Sequence, residues 1–278
     1  MKTRFKVQES GIKLLSFLRC ELAEQVSAKA IKRAIDGKRC KVNGRVETFS
    51  THPLSRGDVV EIDLTLAPHE KIATLYEDDA LWIVNKPAGI SSEPKNFSAK
   101  LVHRLDKETS GALILAKKES TFRRMVELFS QKRVKKEYLA IVDGTVQQEK
   151  GACTSRLAKK HTYQGQTVYG SSSKGVEAIT HWKKLAAGNN ATLLLCEPVT
   201  GRTHQIRVHL KELGHPILGD TQYAKTFRCA YHPSRHLLHA ARLTFPHPET
   251  HVPLDVKAPL PADFLEALKR LSLKFKSL

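Results

Sequence analysis

The sequence predicts an α+β protein with two domains. Leucines recur at helical spacing within residues 14–22, Asn43-Gly44 between valines is a strong hairpin signal, and the apolar run at residues 80–84 is typical of a buried strand. With 278 residues, the chain also exceeds the usual length of one domain. The expected divisions are residues 1–64 for the first domain, 65–71 for a polar linker and 72–278 for the second domain.

Two short amphipathic helices are predicted near the N-terminus. Ser27 is suited to cap the second helix and Gly37 to end it. The apolar positions are Leu14, Leu15, Leu18 and Leu22 in the first helix and Ala28, Ile31 and Ile35 in the second. Because successive residues advance by about 100° around a helix, a basic set lies opposite this apolar side of the second helix. That set is Lys29, Lys32 and Arg33.

A basic turn and two further turns follow the second helix. They comprise Lys38, Arg39 and Lys41, the hairpin segment 42–46 (VNGRV), and Gly57-Asp58 before a strand at residues 59–62. The basic residues either keep a small surface soluble or bind a polyanion. Their clustering on one helix face and in the adjoining turn favours the polyanion.

The second domain is predicted to alternate strands and turns. The runs 80–84 and 112–116 are typical of buried strands, and the polar segment 151–177 predicts a hairpin or a mobile surface. Asp263 is predicted to be the N-cap of a final helix. The predicted apolar face of that helix is Phe264, Leu265, Leu268 and Leu271.

The charge of the chain predicts a polyanionic partner. Lys and Arg number 46 against 28 Asp and Glu, which gives a formal net charge of +18. Nucleic acid is favoured over a membrane surface, because no apolar run approaches the ~20 residues of a spanning helix. The N-terminal residues also lack a signal-like apolar segment, so a cytoplasmic location is expected.

Neither a metal site nor a disulfide framework is predicted. The cysteines, which form no C-x-x-C pair, are Cys20, Cys40, Cys153, Cys196 and Cys229. His204 and His209 are five positions apart, whereas two metal ligands on one helical face are usually four apart. We therefore expect reduced thiols and no bound metal.

The first candidate site is the segment 103–106 (HRLD) followed by 109–111 (TSG). It places one carboxylate, Asp106, between an arginine and a polar turn, in a loop between two predicted strands where catalytic groups concentrate. A catalytic carboxylate has to stay ionised in a partly dry cleft, and a nearby fixed cation favours that state. The alternative is that Asp106 only caps a turn through its own backbone.

Tyr138 is the second candidate. It follows two lysines and a glutamate and precedes the apolar run 139–142. Its ring is able to stack on a flat substrate in a cleft, as aromatic side chains stack on unpaired RNA bases. An ordinary core tyrosine is the alternative.

The segment 198–210 is the third candidate. It follows the apolar strand 192–196 and becomes a helix that ends near Gly214, with Arg207 on a different face from the apolar residues. Guanidinium groups at such a strand-loop-helix junction hold carboxylate or phosphate partners. Solvated charge is the alternative for Arg202 and Arg207.

Together these segments resemble the motifs of the RluA family of pseudouridine synthases. The matching motifs are H-R-L-D-x-x-T-S-G at 103–111, K-x-Y at 136–138, G-R-T-H-Q-I-R-V-H-L at 201–210 and G-H-P-I-L-G-D at 214–220. Residues 76–89 and 236–240 are similar to further family segments, so the resemblance covers most of the second domain. One departure lies at residues 90–101, which lack a His-Pro pair frequent in the family.

The resemblance implies an isomerase that detaches uracil from ribose at N1 and rejoins it through C5, with no cofactor and no metal, on a mixed, mainly antiparallel sheet with a central cleft. By motif position, Asp106 is the catalytic carboxylate, Arg207 pairs with it and keeps it charged, and Tyr138 stacks on the uracil and assists proton transfer at C5. Arg104 holds the extruded nucleotide or fills its vacated place, and Leu238 lines the base pocket. Large-subunit ribosomal RNA is the implied substrate, and a monomer is expected.

The first domain has a resemblance of its own. Residues 7–64 resemble the small RNA-binding domain first recognised in a ribosomal small-subunit protein, with two helices, a basic turn, and V-N-G and G-D turns. This resemblance implies that the domain adds RNA affinity through phosphate contacts.

Two functions from other classes stay open at this point. An RNA-binding or assembly factor without catalysis accounts for the charge and for the first domain. A metal-dependent nuclease would use Asp106 and the histidines, although metal sites for phosphoryl chemistry usually gather several carboxylates. Isomerised uridine in uncut RNA, formed in the presence of a chelator, distinguishes the synthase from both.

Overall fold

The computed structural model describes residues 2–22, 26, 28–37, 39–64, 72–163 and 166–276. The chain divides into two compact units, an N-terminal unit (Met1–Lys71) and a C-terminal unit (Ile72–Leu278). Each unit has a hydrophobic core of its own. The predicted linker at 65–71, the predicted cap Ser27 and the basic Lys38 lie outside the described residues.

The N-terminal unit packs two helices against a small antiparallel sheet. Its elements are β1 (Lys2–Lys6), α1 (Leu14–Glu21), α2 (Ala28–Asp36), β2 (Cys40–Val42), β3 (Arg45–Val46) and β4 (Val59–Asp63), in the sheet order β1-β4-β2-β3. The core joins Leu14 and Leu18 of α1 to Ile31 and Ile35 of α2. The predicted helices and turns are confirmed, whereas β1 was not predicted, because its single large apolar residue, Phe5, gives no strand pattern.

The Asn43-Gly44 turn joins β2 to β3 with the geometry that its sequence predicts. Both residues have left-handed φ angles, 51° and 77°, as a type I′ turn requires. The Asn43 side chain also accepts a hydrogen bond from the Val59 N–H (2.9 Å) and donates one to Asp58 (2.9 Å). The hairpin is thereby fastened to β4.

The basic side of α2 is partly described. Lys32 is exposed there, and Ile31 and Ile35 on the apolar side are buried, as predicted, whereas Ala28 of that side is exposed. The side chains of Lys29 and Arg33 lie outside the described part of the chain. Lys41 and Arg45 are exposed on the adjoining hairpin, so exposed cations continue from the helix into the turn.

The C-terminal unit is built around one large sheet, which is mixed and mainly antiparallel, as expected. Its strands are β5 (Ala73–Glu77), β6 (Leu81–Lys86), β7 (Lys100–Leu101), β8 (Ser110–Ala116), β9 (Lys135–Asp143), β10 (Lys150–Tyr163), β11 (Gln166–Ser171), β12 (Val176–Gly188), β13 (Ala191–Pro198), β14 (Leu238–Pro246) and β15 (Pro253–Lys257). Its helical elements are a 3₁₀ turn (Pro94–Asn96), α3 (Glu119–Ser130), α4 (Gln205–Glu212) and α5 (Ala262–Arg270). The main strand order is β11-β10-β12-β13-β9-β14-β8-β6-β5, with β15 beside β14 and β7 beside β8.

The parallel pair β8 and β14 lies inside this sheet and brings two distant segments together. Ser110 pairs with His239, and Gly111 pairs with Ala240. Gly111 has a φ of 115°, and a Cβ atom at this position would lie 2.2 Å from the backbone oxygen of Ala240. Only glycine combines this backbone angle with such a close approach of two strands.

Gly111→Ala is therefore expected to destabilise the C-terminal unit by ~3 kcal/mol or more, because a backbone clash and an unfavourable φ act together. Gly214→Ala is the matched control, since Gly214 also has a positive φ, 87°, but an added Cβ there would meet no atom within 4 Å. That control is expected to lose about 1–2 kcal/mol. Thermal and denaturant unfolding measure both losses, and equal losses would contradict the steric explanation.

Helix α5 differs from its prediction in two respects. The prediction that Asp263 is the N-cap is wrong, because Pro261 holds that position and the Asp263 carboxylate binds the guanidinium of Arg235. Leu265 is exposed rather than part of the apolar face. Leu265 lies about 100° around the helix from the buried Phe264, and its side chain therefore falls outside the buried stripe. That stripe is Phe264, Ala267, Leu268 and Leu271.

The polar segment 151–177 forms most of β10, all of β11 and the start of β12, so the predicted hairpin is confirmed. Leu157 of β10 is nevertheless buried, and it belongs to a small cluster with Val208 of α4. The hairpin therefore also contributes to packing around α4.

Two features are absent from the described part of the chain. No helix there is both long enough and apolar enough to cross a membrane. No group of three or more His, Cys, Asp and Glu side chains there is arranged to hold a metal ion.

Candidate active site

The Asp106 loop, residues 102–109, connects β7 to β8. Leu105 anchors it, because its side chain is buried, its N–H donates to Ser92 Oγ (3.1 Å) and its C=O accepts from the same hydroxyl (2.9 Å). The Thr109 N–H donates to the backbone C=O of Asp106 at 3.0 Å and closes the turn. The Asp106 side chain stays 25% exposed and bonds to Arg207 instead of its own turn. The turn-capping alternative for its carboxylate is therefore not supported.

Lys86, at the end of β6, connects the Asp106 loop to the segment 87–90 that follows β6. Its ammonium is fully buried and donates to the carbonyls of Pro87 (2.9 Å), Ile90 (2.8 Å) and Lys107 (3.2 Å). Burial lowers the pKa of Lys86 to about 7, while the charge of Glu108 opposes this shift. Lys86 lay inside a family-like segment of the sequence, but nothing in its spacing indicated this contact.

Arg207 is the cation that faces Asp106. Its Nη1 donates to Asp106 Oδ2 at 3.0 Å, while its Nε and Nη2 donate to the two carboxylate oxygens of Asp220 at 2.7 and 2.9 Å. Nη2 also donates to Gln222 at 2.6 Å. The Arg207 side chain is 6% exposed and that of Asp220 2%, so the solvated-charge alternative for Arg207 is wrong. One guanidinium thus bridges a buried carboxylate and a partly exposed one.

The charge of Arg207 is secured by its partners. Burial alone disfavours a charged side chain, but the hydrogen bond and charge of Asp220, with a further contribution from Asp106, raise the pKa of Arg207 above its ordinary value. Arg207 therefore remains a cation at neutral pH.

The N-terminus of α4 is held so that Arg207 points at the loop. Gln205 accepts hydrogen bonds from the Thr200 hydroxyl (2.7 Å) and the Arg202 N–H (3.0 Å), and its amide donates to the Ile179 C=O (2.9 Å). Arg202 is itself exposed and donates through Nε to a backbone carbonyl of the neighbouring hairpin. Arg207 lies two positions after Gln205 in this anchored first turn of α4. The anchoring therefore determines the direction of the Arg207 side chain.

His204 and Tyr223 complete the surroundings of Asp106. His204 has a left-handed φ of 57°, and its Nδ1 lies 2.7 Å from the Tyr223 hydroxyl and its Nε2 3.9 Å from Asp106 Oδ2. Burial lowers the pKa of His204, so the imidazole is uncharged at neutral pH. The Tyr223 ring packs against the Arg207 guanidinium, 4.9 Å from its centroid. Both residues lie in or beside the quoted motifs, yet sequence reasoning gave neither of them a role.

Tyr138 and Leu238 form an apolar surface next to this group. In the β9–β14 pair, Leu238 lies opposite Ala140 and Ala240 lies opposite Tyr138, which puts Tyr138 and Leu238 on the same face as diagonal neighbours. Both are buried in one cluster with Leu105. Burial and then the charge of Asp106 raise the pKa of Tyr138, so the phenol is protonated at neutral pH.

Arg104 is the predicted site residue that the structure leaves apart. Its side chain is exposed, and no hydrogen bond or ion pair joins it to another described residue. The structure thus brings Asp106, Arg207, Tyr138 and Leu238 to one site and joins Arg104 to none of them by a hydrogen bond or ion pair.

Comparison with known proteins decides the family. The chain matches the family model described as RNA pseudouridylate synthase over residues 80–212. It is 32% identical to ribosomal large subunit pseudouridine synthase C of Escherichia coli (strain K12), with 95% of this chain and 94% of that protein covered. The chain belongs to the RNA pseudouridine synthase family. The protein of the same name from Yersinia pestis is 34% identical to this pseudouridine synthase, with 91% and 89% covered.

A solved structure agrees with this assignment. Human RNA pseudouridylate synthase domain containing 4 is 26% identical to this pseudouridine synthase and has a TM-score of 0.62, with 73% of this chain and 94% of that chain covered. The RluA-type resemblance of the sequence is confirmed by the curated relatives. This pseudouridine synthase is accordingly an isomerase that acts on RNA. The family match includes Asp106, Tyr138 and Arg207, whereas Leu238 lies beyond its range.

Proposed function

We propose that this pseudouridine synthase isomerises specific uridines of large-subunit ribosomal RNA, with Asp106 as the catalytic carboxylate. One observation carries the proposal: a partly exposed carboxylate is bonded to a buried guanidinium, which a second carboxylate holds from its other side. The names of the curated relatives support the ribosomal substrate. The proposed enzyme is a cytoplasmic monomer that uses no cofactor.

The proposed chemistry at the sugar belongs to Asp106. The N1–C1′ bond breaks, the uracil turns, a C5–C1′ bond forms, and the ring loses a proton at C5 and gains one at N1. Asp106 acts either by attack on C1′ or by removal of the C2′ proton, and both routes need its carboxylate. Among the described contacts, only Oδ2 is hydrogen-bonded to the protein, which leaves Oδ1 for the substrate.

Arg207 positions the carboxylate in this proposal. Asp220 occupies the Nε and Nη2 edge of the guanidinium, and this bidentate contact fixes the plane of the group. Nη1 therefore points in one direction, toward Asp106. A fixed cation beside the reacting carboxylate keeps that carboxylate in one orientation while the nucleotide binds.

Tyr138 and Leu238 are proposed to receive the extruded base. A target uridine has to leave its stack to reach Asp106, and an aromatic ring beside a leucine offers it a stacking surface. We assign Tyr138 a part in proton transfer at C5. Because its raised pKa leaves the phenolate scarcely populated at neutral pH, this transfer has to be coupled to other proton movement in the site.

Arg104 is proposed to contact RNA directly. Its exposed guanidinium has no described partner in the protein, and it lies two residues from Asp106. A free guanidinium at this place either holds the phosphate of the extruded nucleotide or fills the gap that the base leaves.

The proposed function is tested with a large-subunit ribosomal RNA transcript that carries tritium at C5 of its uridines. In the presence of a chelator, the enzyme is expected to release tritium to water and to leave every strand uncut. The pseudouridines that form are expected to keep their carbodiimide adducts under conditions that remove the adducts of uridine. A transfer RNA transcript labelled in the same way serves for comparison. Tritium release from that transcript, without release from the ribosomal one, would refute the proposed substrate. Strand cuts would indicate a nuclease, and binding without release would indicate a non-catalytic RNA-binding protein.

Deletion of residues 1–64 is expected to weaken RNA binding and make it less dependent on salt, because each lost phosphate contact reduces the release of counterions. Exposed Lys32, Lys41 and Arg45 support such contacts. The slope of log affinity against log salt concentration, measured for the full chain and for the shortened one, checks this prediction. An unchanged affinity and slope would contradict a binding role for the N-terminal unit.

A further inference from the structure

Arg235 joins three parts of the C-terminal unit through one buried guanidinium. Its Nε and Nη2 donate to the two carboxylate oxygens of Asp263 in α5 at 2.6 and 3.0 Å. Its Nη1 donates to the backbone C=O of Glu108 at 2.9 Å, and its Nη2 reaches Ser110 Oγ at 3.3 Å. Nη1 also donates to the C=O of His236, just before β14, at 3.1 Å.

These contacts surround the second half of the Asp106 loop. Thr109 lies between Glu108 of the loop and Ser110 of β8, which both bind Arg235, and its N–H donates to the Asp106 carbonyl. Its hydroxyl is hydrogen-bonded to His236 Nε2 at 2.9 Å. Because an irregular loop has no ladder of backbone hydrogen bonds, side-chain contacts of this kind set its position. The backbone that follows Asp106 is thus positioned in part by Arg235, which is not hydrogen-bonded to the Asp106 side chain.

Asp263 determines the direction of that group. A carboxylate that accepts two parallel hydrogen bonds fixes the plane of a guanidinium, and the remaining N–H groups of Arg235 then point at the loop. The Asp263 side chain is 41% exposed, whereas that of Arg235 is 5% exposed. Asp263 is therefore the accessible end of a contact that runs from the surface of α5 to the loop.

We propose that Arg235 and Asp263 are positioning residues for the isomerisation, which act by holding the backbone on the C-terminal side of Asp106. This inference rests on the proposed catalytic role of Asp106. Neither residue has a hydrogen bond or ion pair to the Asp106 side chain, so loss of the pair is expected to change the rate of the chemical step and leave RNA affinity in place.

Asp263→Asn tests the proposal in the full chain. Asparagine keeps one acceptor but loses the second and the charge, so Arg235 is no longer held in one plane. A small displacement of a catalytic group is costly for rate, and we expect kcat to fall about tenfold or more while KM and the RNA dissociation constant stay within about twofold. Steady-state tritium release gives kcat and KM, single-turnover release gives the rate of the chemical step, and RNA binding gives the dissociation constant. All are measured at a temperature well below the unfolding transition of each variant.

Asp255→Asn is the matched control. Asp255 binds Arg242 through two hydrogen bonds of 2.6 Å, and its side chain is 45% exposed. That pair joins β14 to β15 and contacts no residue of the Asp106 loop. The control is expected to keep kcat within about twofold. Equal losses of kcat in the two variants, or a normal kcat in Asp263→Asn whatever its stability, would overturn the proposal.

Two further variants keep the test decisive. Asp263→Glu retains the charge but moves it by one methylene, and we expect a kcat about threefold below wild type with unchanged stability. If Asp263→Asn does not fold, a wild-type kcat in Asp263→Glu overturns the proposal.

Asp106→Asn is measured in the same assay. Full activity there refutes the proposed catalytic carboxylate, whereas an inactive Asp106→Asn beside a normal Asp263→Asn refutes only the positioning role.

Discussion

Asp106→Asn is expected to lower the rate of pseudouridine formation by at least about 10³-fold, while RNA affinity changes by less than about threefold. The amide has nearly the same shape and keeps an oxygen acceptor for Arg207 Nη1, which now donates to the carboxylate at 3.0 Å. It can neither attack C1′ nor take a proton from C2′. Single-turnover tritium release gives the rate, and equilibrium binding of an unlabelled transcript gives the affinity.

A second aspartate provides the control for this substitution. Asp79 is exposed in the turn between β5 and β6, and Asp79→Asn makes the same change of charge outside the site. Its rate is expected to equal that of the wild type. An undiminished rate in Asp106→Asn would show that another group performs the chemistry, and a loss in both variants would point to net charge rather than to one carboxylate.

Arg207→Ala is expected to lower activity by about 10²-fold or more and also to destabilise the C-terminal unit by about 3–5 kcal/mol. The loss of stability arises because Asp220, which is 2% exposed, would be left as a buried charge without its partner. The loss of activity arises because Asp106 would lose the hydrogen bond that orients it. Unfolding by denaturant measures the stability, tritium release measures the activity, and RNA binding is expected to be largely kept.

The double variant Arg207→Leu with Asp220→Leu separates these effects. It removes both buried charges, so its stability is expected to lie closer to that of the wild type than the stability of Arg207→Ala does. Its activity is expected to stay as low as that of Arg207→Ala, since Asp106 still lacks its cation. Wild-type activity in the double variant would exclude a positioning role for Arg207.

The elements that sequence reasoning predicted well are those whose causes lie within a few residues. The Asn43-Gly44 turn follows from two residues that tolerate left-handed angles. Helix α1 follows from apolar side chains one turn apart, of which Leu14 and Leu18 are fully buried. The Asp106–Arg207 pair was reached differently, through family-like motifs, because 101 positions separate the two residues and no local pattern connects them.

The contacts that sequence reasoning missed are the long-range ones. Asp263 has the residue type and place of a helix cap, but Arg235, 28 positions away, binds it instead, so a tertiary partner outweighed a local preference. Lys86 lies within a family-like segment of the sequence, and its contact with Lys107 appears only once β6 and β8 are paired. Such contacts depend on the register of the sheet, which periodicity alone does not determine.

The parallel contact of β8 with β14 has a consequence for the biosynthesis of the enzyme. Ser110 and His239 are neighbours in space but lie 129 positions apart in the chain. Translation proceeds from the N-terminus, and contacts across such a distance form slowly. The nascent polypeptide is therefore expected to lack the complete proposed active site until β14 has left the ribosome, and a prematurely terminated chain is expected to be inert rather than partly active.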